Sequence, residues 1–307
     1  MLDIDKISKL GLGTWGLGGF ARFDSDIDTK KQQTAVAYTL SKGINYVETT
    51  LWYSEGHAAQ ILADAIQESG VVREQIFISQ AIYEYDQTTL ESFSSEMGIF
   101  HKLLRTDYSD AVLVTMPGAK KFGVEKVFDW MDNLLNQGLT RYVSVTNANL
   151  EFLKLMQRRF GDKLFGHELH VNFEIRVMEE LGIVKFADEH KIKNIIAQPL
   201  RRNRTAAHNW PLLKELADKY AYSQNQIILA WMMSRGFLPL VKSEKTEHID
   251  ENLHVLDITI DPGDVEKINA WRPDYRVPEI DWNKSGKGVD AAQLANVFDE
   301  EYERQRR

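Results

Sequence analysis

Short apolar segments rich in β-branched residues recur along the chain, and segments with helical periodicity separate them. The sequence predicts eight strands, at Lys9–Gly13, Tyr46–Glu48, Ile76–Ser79, Ala111–Val114, Tyr142–Val145, Leu169–Phe173, Asn194–Ala197 and Leu238–Val241. Strands that alternate with helices this regularly form parallel βα units. Eight such units favour a closed (β/α)8 TIM barrel of the α/β class over an open, doubly wound sheet.

The predicted helices carry start and stop signals. One apolar stripe follows the i, i+3, i+4, i+7, i+8 spacing of a helix face, at Ala58, Ile61, Leu62, Ala65 and Ile66. Gly70 follows this stripe as a C-terminal stop. Asn149 is suited to cap the start of another helix, and Gly161 to end it.

No Pro-rich or Ser-rich linker interrupts the alternation, so we expect residues 1–307 to form one domain with a barrel core at about 9–271. The remaining tail, 272–307, differs in pattern. Arg272–Val289 has no periodicity, and the charged Ala291–Arg307 segment is typical of a last helix. We expect this C-terminal extension to lie over one face of the barrel.

The charge and cysteine content restrict the classes of function. The chain has 37 basic and 45 acidic residues, a net charge of −8, which disfavours nucleic acid and anionic membranes as partners. The absence of cysteine excludes disulfides and thiolate catalysis. No stretch approaches the roughly 18 apolar residues of a membrane span, and no leader pattern is present. We expect a cytoplasmic protein, a monomer or homo-oligomer, that binds a small molecule.

Two short motifs resemble known binding signatures but lack their context. The Gly11–Gly16 segment matches G-x-G-x-x-G, yet no helical pattern follows it, so we interpret it as a glycine-rich loop after the first strand. The histidines of His167–His170 are three residues apart rather than four, which disfavours a zinc site. Ordinary polar positions are the better interpretation, and we predict no metal.

An acid and a tyrosine stand together after the second predicted strand. Glu48 ends the strand, and Tyr53 follows five residues later. Catalytic groups of parallel barrels lie on the loops after the strands. This arrangement predicts proton chemistry at the barrel mouth.

Four segments together resemble the aldo-keto reductase superfamily, over about residues 9 to 271. They are Leu10–Gly19, Gly43–Tyr53, Gly138–Asn147, and Lys242-Ser243 with Glu251-Asn252. Members of that family are TIM barrels that bind NADPH across the C-terminal mouth and transfer its hydride to a carbonyl. The resemblance therefore implies NADP(H) as the cofactor and a small-molecule substrate.

The resemblance also implies an altered catalytic set. The family's Asp, Tyr, Lys and His correspond by motif position to Glu48, Tyr53, Gln80 and Thr115. In the family, the lysine lowers the pKa of the tyrosine, whereas Gln80 supplies no cation. Since one general acid contributes on the order of 10²–10⁴ in rate, we expect ordinary ketone reduction to be severely impaired.

The cofactor contacts that the resemblance implies are Thr14, Trp15, Thr146, Asn147, His170, Pro199, Leu200, Arg201, Lys242, Ser243, His248, Glu251 and Asn252. Lys242 and Ser243 match the segment for the 2′-phosphate, and Asn252 matches the adenine contact. His170 aligns with the family's carboxamide-binding glutamine, and His248 stands where the family has an arginine. Trp15, Trp52 and Trp282 are candidates for an aromatic substrate pocket.

Three functions follow as hypotheses. The first is an NADP(H)-dependent oxidoreductase with an altered proton relay, acting on a specialised carbonyl or imine substrate. The second is a redox-neutral lyase or isomerase that uses Glu48 and Tyr53 as acid and base. The third is a non-catalytic NADP-binding protein, which the loss of the family's lysine and histidine favours.

Overall fold

A closed barrel of parallel strands organises the chain. The computed structural model describes residues 1–84, 87–146 and 148–272. Within them each strand pairs with the next in chain order, and β1 pairs with β8 to close the barrel. The strands are β1 Gly11–Gly13, β2 Tyr46–Thr50, β3 Phe77–Ile82, β4 Ser109–Thr115, β5 Thr140–Thr146, β6 Leu164–Leu169, β7 Lys193–Ile196 and β8 Leu238–Val241. The prediction of a (β/α)8 barrel is confirmed.

Helices alternate with the strands. In the described ranges they are α1 Thr29–Ser41, α2 His57–Ser69, α3 Glu91–Leu104, α4 Met116–Phe122, α5 Val124–Gln137, α6 Leu150–Phe160, α7 Val177–Glu180, α8 Ile183–Glu189, α9 Arg204–Ala207, α10 Pro211–Tyr220, α11 Gln224–Ser234, α12 Thr246–His254 and α13 Pro262–Ala270. The predicted signals act as expected: Asn149 accepts a hydrogen bond from the Phe152 N–H as N-cap of α6, and Gly70 ends α2 at φ +72°.

The sixth predicted strand, Leu169–Phe173, was wrong, because β6 runs from Leu164 to Leu169. After Leu169 the chain turns: the Asn172 side chain accepts hydrogen bonds from the N–H groups of Glu174 and Ile175, at 3.0 and 2.9 Å. The apolar residues of the predicted strand are therefore buried in a turn. His167 and Glu168, which precede the predicted strand, belong to β6.

Aromatic and aliphatic side chains fill the amino-terminal end of the barrel interior. They are Tyr46, Phe77, Ala111, Phe165, Ile195, Leu238 and Leu240. Glycine at position 11 is required here, since a Cβ would lie 2.7 Å from Leu240 Cδ2 and 2.9 Å from Tyr46 Cδ1. Alternation along β2 then places Glu48, two residues after Tyr46, on the same interior face.

An irregularity in β6 decides which of its side chains face inward. The pairing with β5 shifts from Val143↔Leu164 to Ser144↔Gly166, so that Phe165 is an extra residue. A bulge of this kind reverses the alternation after it. Glu168, paired with Thr146, is consequently turned toward the interior.

The predicted extension 272–307 lies outside the described residues except for Arg272, so its placement over the barrel stays a prediction. Among the residues that the structure describes, no helix has the length and apolar character needed to cross a membrane.

Candidate functional site

One large cavity opens at the carboxyl ends of the strands, where barrel enzymes place their active sites. Its volume is about 920 Å³. Strand residues at its inner end include Gly13, Glu48, Thr146 and Glu168, and it extends outward to Asn252 on α12. The cavity therefore connects the barrel interior to the surrounding helices.

Most of the residues that the sequence marked as candidates line this cavity. They are Trp15, Glu48, Trp52, Tyr53, Thr146, His170, Pro199, Leu200, Lys242, Ser243, His248, Glu251 and Asn252. They come from loops that are far apart in the sequence, and closure of the barrel brings them together.

Tyr53 and Glu48 form a buried polar contact in the lining of the cavity. The Tyr53 hydroxyl donates a hydrogen bond to Glu48 Oε1 at 3.0 Å, and both side chains are buried. Tyr53 opens a short 3-10 turn, Tyr53–Gly56, in which Ser54 has φ +52°. This turn is attached to the first loop, because the Ser54 hydroxyl donates to the Gly18 carbonyl oxygen at 2.7 Å. The acid and the phenol predicted from the sequence thus meet directly.

Glu168 brings a second buried carboxyl group to the same place. Its Oε2 is buried and has no hydrogen-bond partner among the described residues. Burial and the charge of Glu48 raise the pKa of Glu168 well above its usual range. Burial raises the pKa of Glu48 to about 7, although hydrogen bonds from Tyr53 and from the Thr14 backbone act in the opposite direction. We call Glu48 and Glu168 the acid pair.

The acid pair also affects the phenol. Burial is the main cause that raises the pKa of Tyr53, followed by the negative charge of Glu48. A nearby cation would lower it. Tyr53 is therefore a neutral hydrogen-bond donor in this site rather than a group near ionisation.

Aromatic side chains enclose this end of the cavity. The rings of Trp15 and Trp52 stack with centroids 5.6 Å apart, and Trp15 meets Tyr53 edge-on at 4.9 Å. The Tyr83 hydroxyl lies 3.5 Å from the Tyr53 hydroxyl, and Phe20 packs on Trp15 at 5.3 Å. We call these five residues the aromatic wall. Tyr83 and Phe20 were missed in the sequence, where nothing distinguished them from packing residues.

Cationic and polar groups line the outer part of the cavity. Lys242 follows β8, and burial lowers its pKa. Its Nζ lies 3.9 Å from Glu244 Oε1. The Gln32 side chain joins the two loops beside it, since Nε2 donates to Glu244 Oε1 at 2.6 Å and Oε1 accepts from the Gly18 N–H at 2.7 Å. Arg202 also lines the cavity.

The position of Gln80 contradicts its assignment as a catalytic residue. It is fully buried and does not line the cavity. Its Oε1 accepts a hydrogen bond from Ser109 Oγ at 2.7 Å, and Ser109 Oγ lies 2.9 Å from Nε2 of His101 on α3. Since Phe77 faces the barrel interior and Tyr83 lines the cavity, alternation directs Ala81 inward and Gln80 toward the helices. The position of Gln80 therefore does not support its assignment to the catalytic set, and Ala81 is the neighbouring residue of β3 that faces inward.

Thr115 also lies outside the cavity lining. Its hydroxyl accepts a hydrogen bond from the Gly118 N–H at 2.8 Å as N-cap of α4, and donates to Glu84 Oε2 at 2.5 Å. The single donor of this hydroxyl and one of its acceptor positions are used within the protein. Thr115 therefore stabilises the start of a helix in this structure instead of facing a substrate.

Two predicted cofactor contacts are likewise placed elsewhere. Arg201 is buried and forms an ion pair with Glu174, and it does not line the cavity. Thr14 is buried behind the lining, where its N–H donates to the Glu48 carbonyl oxygen at 3.2 Å. Asn147 and Trp282 lie outside the described residues, so their assignments stay predictions.

The segment His167–His170 was interpreted as ordinary polar positions, and this was wrong for Glu168, which lines the cavity together with His170. His167 faces the other way. Its Nε2 accepts a hydrogen bond from the Ala148 N–H at 3.3 Å, and burial lowers its pKa to about 3. The described residues contain no group of side chains suited to hold a metal ion.

Glu174 holds the loop that carries Pro199 to Asn203. Its carboxylate accepts hydrogen bonds from Arg201, His208, Thr205 and Trp210, the last two at 2.9 and 2.6 Å. Several residues of this loop have positive φ, at Gln198, Arg201, Arg202 and Asn203. Such conformations persist only where the surrounding contacts impose them. Glu174 is thus a positioning residue for one wall of the cavity.

Comparison with known proteins agrees with this geometry. The model of the Aldo/keto reductase family matches residues 9–272. The chain is 25% identical over 283 residues to the 9,11-endoperoxide prostaglandin H2 reductase of Trypanosoma cruzi, covering 89% of this chain and 90% of that protein. It is 26% identical over 266 residues to the glyoxal reductase of Bacillus subtilis, covering 86% and 90%.

Solved structures of similar proteins have the same fold. A thermostable aldo-keto reductase in complex with the inhibitor epalrestat superimposes with a TM-score of 0.78 at 25% identity, covering 86% of this chain and 94% of that chain. The aldo-keto reductase of Klebsiella pneumoniae in complex with NADPH gives 0.72 at 20% identity, covering 86% and 90%. With the family model matched across the barrel, these findings establish that the chain belongs to the aldo/keto reductase family.

Proposed function

We propose that this protein is an NADP(H)-dependent oxidoreductase with an altered proton relay, acting on a specialised carbonyl or imine substrate. One observation carries the proposal: a single cavity contains the Tyr53–Glu48 pair at the barrel interior and Lys242 and Ser243 farther out. Proton chemistry and an anion-binding site are thereby joined in one space. The two similar proteins from Trypanosoma cruzi and Bacillus subtilis are both named as reductases.

The outer part of the cavity fits a phosphorylated dinucleotide. The partly buried Lys242 supplies a positive charge, Ser243 a hydroxyl, and Asn252 an amide suited to the edge of an adenine ring. The first N–H groups of α12 begin three residues after Ser243, and a helix start attracts phosphate. Thr146 and His170 line the inner part and would contact the nicotinamide. Bound there, NADPH would supply the hydride.

The acid pair would support proton donation by Tyr53, the task that the lysine performs in the family. With a pKa of about 7, Glu48 holds a proton on part of the molecules at neutral pH. Its contact with Tyr53 gives that proton a direct path to a substrate atom, since Tyr53 can donate its own proton and take one from Glu48. We therefore assign the donor role to Tyr53, resupply to Glu48, and a second proton store to Glu168.

The second candidate is a redox-neutral lyase or isomerase. The direct contact between Glu48 and Tyr53 supports it, because an acid with a pKa near neutrality both accepts and donates protons. A non-catalytic NADP-binding protein is the third candidate. For each candidate function we propose that the chain forms a single domain, that the protein is cytoplasmic and that it binds a small molecule.

NADPH binding followed by fluorescence and by calorimetry tests the proposal first. Binding, together with NADPH oxidation on a panel of carbonyls and imines, is the expected result. Failure to bind NADPH contradicts the oxidoreductase. Product formation without net NADPH oxidation supports the lyase or isomerase, and tight binding with no turnover supports the non-catalytic protein.

A further inference from the structure

We propose that the inner end of the cavity binds a cation, and that the substrate is an iminium ion or a protonated imine. This rests on the proposed function and narrows its substrate class. Two independent features carry it: the acid pair, which has no cationic partner within the described part of the chain, and the aromatic wall around it.

The described residues place no cation beside the acid pair, and burial therefore favours its protonated form until a positive charge arrives. Among the described residues no ion pair joins Glu48 or Glu168 to a lysine or an arginine. The lysine and the arginine of the cavity lining face other groups: Lys242 lies 3.9 Å from Glu244, and the Arg202 guanidinium lies over the Phe20 ring at 5.4 Å. Buried carboxylates are costly unless a positive charge accompanies them. A cationic ligand between them would supply it.

The aromatic wall is suited to the same ligand. Trp15, Phe20, Trp52, Tyr53 and Tyr83 all line the cavity. The faces of aromatic rings attract cations, tryptophan most strongly, and the attraction is greater where the contact is shielded from water. Neighbouring carboxylates and rings together select a cation over a neutral molecule of the same shape, whereas an anionic substrate would be repelled.

The chemistry of an iminium ion fits the loss of the activating lysine. In the reduction of a carbonyl, the oxygen needs a proton as the hydride arrives. In an iminium ion the hydride of NADPH adds to the carbon, and the C=N π pair becomes the lone pair of a neutral amine nitrogen. NADPH leaves as NADP⁺, and no proton transfer to the heteroatom is needed. The acid pair then stabilises the positive charge of the substrate.

Binding of matched probes tests the cation site without any cofactor. Benzyltrimethylammonium and benzyl alcohol have the same ring, and calorimetry at pH 8 compares them directly. We expect the cation to bind at least about tenfold tighter, a difference that corresponds to about 1.4 kcal/mol. Equal or tighter binding of the alcohol overturns the inference, whether or not the protein binds NADPH.

Variants separate the carboxylate from general charge effects. Glu168→Gln should weaken the cation about tenfold or more and leave benzyl alcohol within a factor of about 2. Glu48→Gln should act in the same direction. Glu68→Gln, which removes an exposed carboxylate beside Lys30 on the outer surface, is the control and should change neither affinity. A cation affinity that is insensitive to both Glu48→Gln and Glu168→Gln also overturns the inference.

Turnover distinguishes failure of the inference from failure of the proposed function. With NADPH, N-methyl-3,4-dihydroisoquinolinium should be reduced at least about 10²-fold faster, by kcat/KM, than the neutral ketone 1-tetralone. Preference for the ketone overturns the iminium substrate while the oxidoreductase stands. Cation binding in a protein that does not bind NADPH contradicts the oxidoreductase while the cation site stands.

Discussion

The hydroxyl of Tyr53 donates a hydrogen bond to Glu48 Oε1 across 3.0 Å, where members of the family use a lysine to activate the tyrosine. The partner here is an acid with a pKa of about 7. A carboxylate raises the pKa of a phenol that it accepts from, while a carboxylic acid can return a proton to it. The site thus keeps the tyrosine of the family in a different electrostatic environment.

Tyr53→Phe tests whether the phenol takes part in turnover. We expect kcat to fall by about 10² or more on a carbonyl substrate, whose oxygen needs a proton, because the hydrogen-bond donor nearest the acid pair is lost. NADPH affinity should change by less than a factor of about 3, since Tyr53 lies at the other part of the cavity from Lys242. Steady-state kinetics and fluorescence titration measure the two quantities. Unchanged kcat would show that the phenol only packs.

Glu168→Gln should stabilise the protein, and more so at high pH. The folded pKa of Glu168 is raised, so the stability that a protonated carboxyl allows is present below the unfolded pKa and lost as the pH rises through the folded value. The amide carries no charge and avoids that loss. We expect a gain on the order of 1–3 kcal/mol at pH 8 and little at pH 4, measured by urea unfolding. A gain that is independent of pH would contradict the buried acid.

Glu48→Gln should behave similarly, with a window that the structure defines more closely. The stability that the protonated Glu48 carboxyl allows is fully present below about pH 4.5 and is lost as the pH rises through about 7. The unfolding temperatures of the wild-type protein and of the Glu48→Gln variant should therefore diverge progressively across that range. Parallel curves between pH 4.5 and 8 would show that Glu48 ionises freely in the fold.

Glu174→Ala should disturb a wall of the cavity from a distance. Removal of the carboxylate takes the Glu174 partner from the buried Arg201, and breaking a buried ion pair costs roughly 3–5 kcal/mol of unfolding free energy. The loop from Gln198 to Asn203 also loses its anchor, and NADPH affinity should fall with it. Asp129→Asn, at an exposed pair with Arg159, is the control and should cost less than about 1 kcal/mol. Equal effects of the two substitutions would refute the anchoring role.

A lysine can be introduced into β3 at two adjacent positions. We expect a gain of ketone reduction at one position and only a loss of stability at the other. Ala81→Lys, combined with Glu48→Asp, should place an ammonium in the barrel interior near Tyr53 and raise ketone reduction by at least about tenfold. Gln80→Lys should bury a charge between the strands and His101 of α3, lowering stability by several kcal/mol without new activity. NADPH oxidation with 1-tetralone and urea unfolding measure both. Greater activity for the Gln80→Lys variant would restore the original assignment.

Lys242→Met tests the phosphate contact. Loss of the positive charge should weaken NADPH by about tenfold or more and leave NADH nearly unchanged, because only NADPH carries the 2′-phosphate. The methionine keeps the length of the apolar stem. Fluorescence titration measures both affinities. An equal loss of affinity for NADPH and NADH would indicate that Lys242 contacts the pyrophosphate, which both cofactors share.

The sequence by itself determined the barrel and the region of the site. Regular alternation of apolar segments with helical stripes requires parallel βα units, and such units place the residues after each strand at one mouth. This is why Glu48, Tyr53, Thr146 and Lys242, which the resemblance to the family singled out, all fall at or after predicted strand ends and so at one mouth. Those positions depend on the order of elements, which local patterns specify well.

Only the tertiary structure decided which side chains face inward. Side chains alternate along a strand, so a shift of one residue exchanges the interior and the exterior faces. That shift separates Gln80, which contacts α3, from Ala81, and the extra residue Phe165 turns Glu168 into the cavity. The contact between Tyr53 and Tyr83 likewise joins residues on different loops. Register and bulges arise from packing between strands, and no local pattern in the chain encodes them.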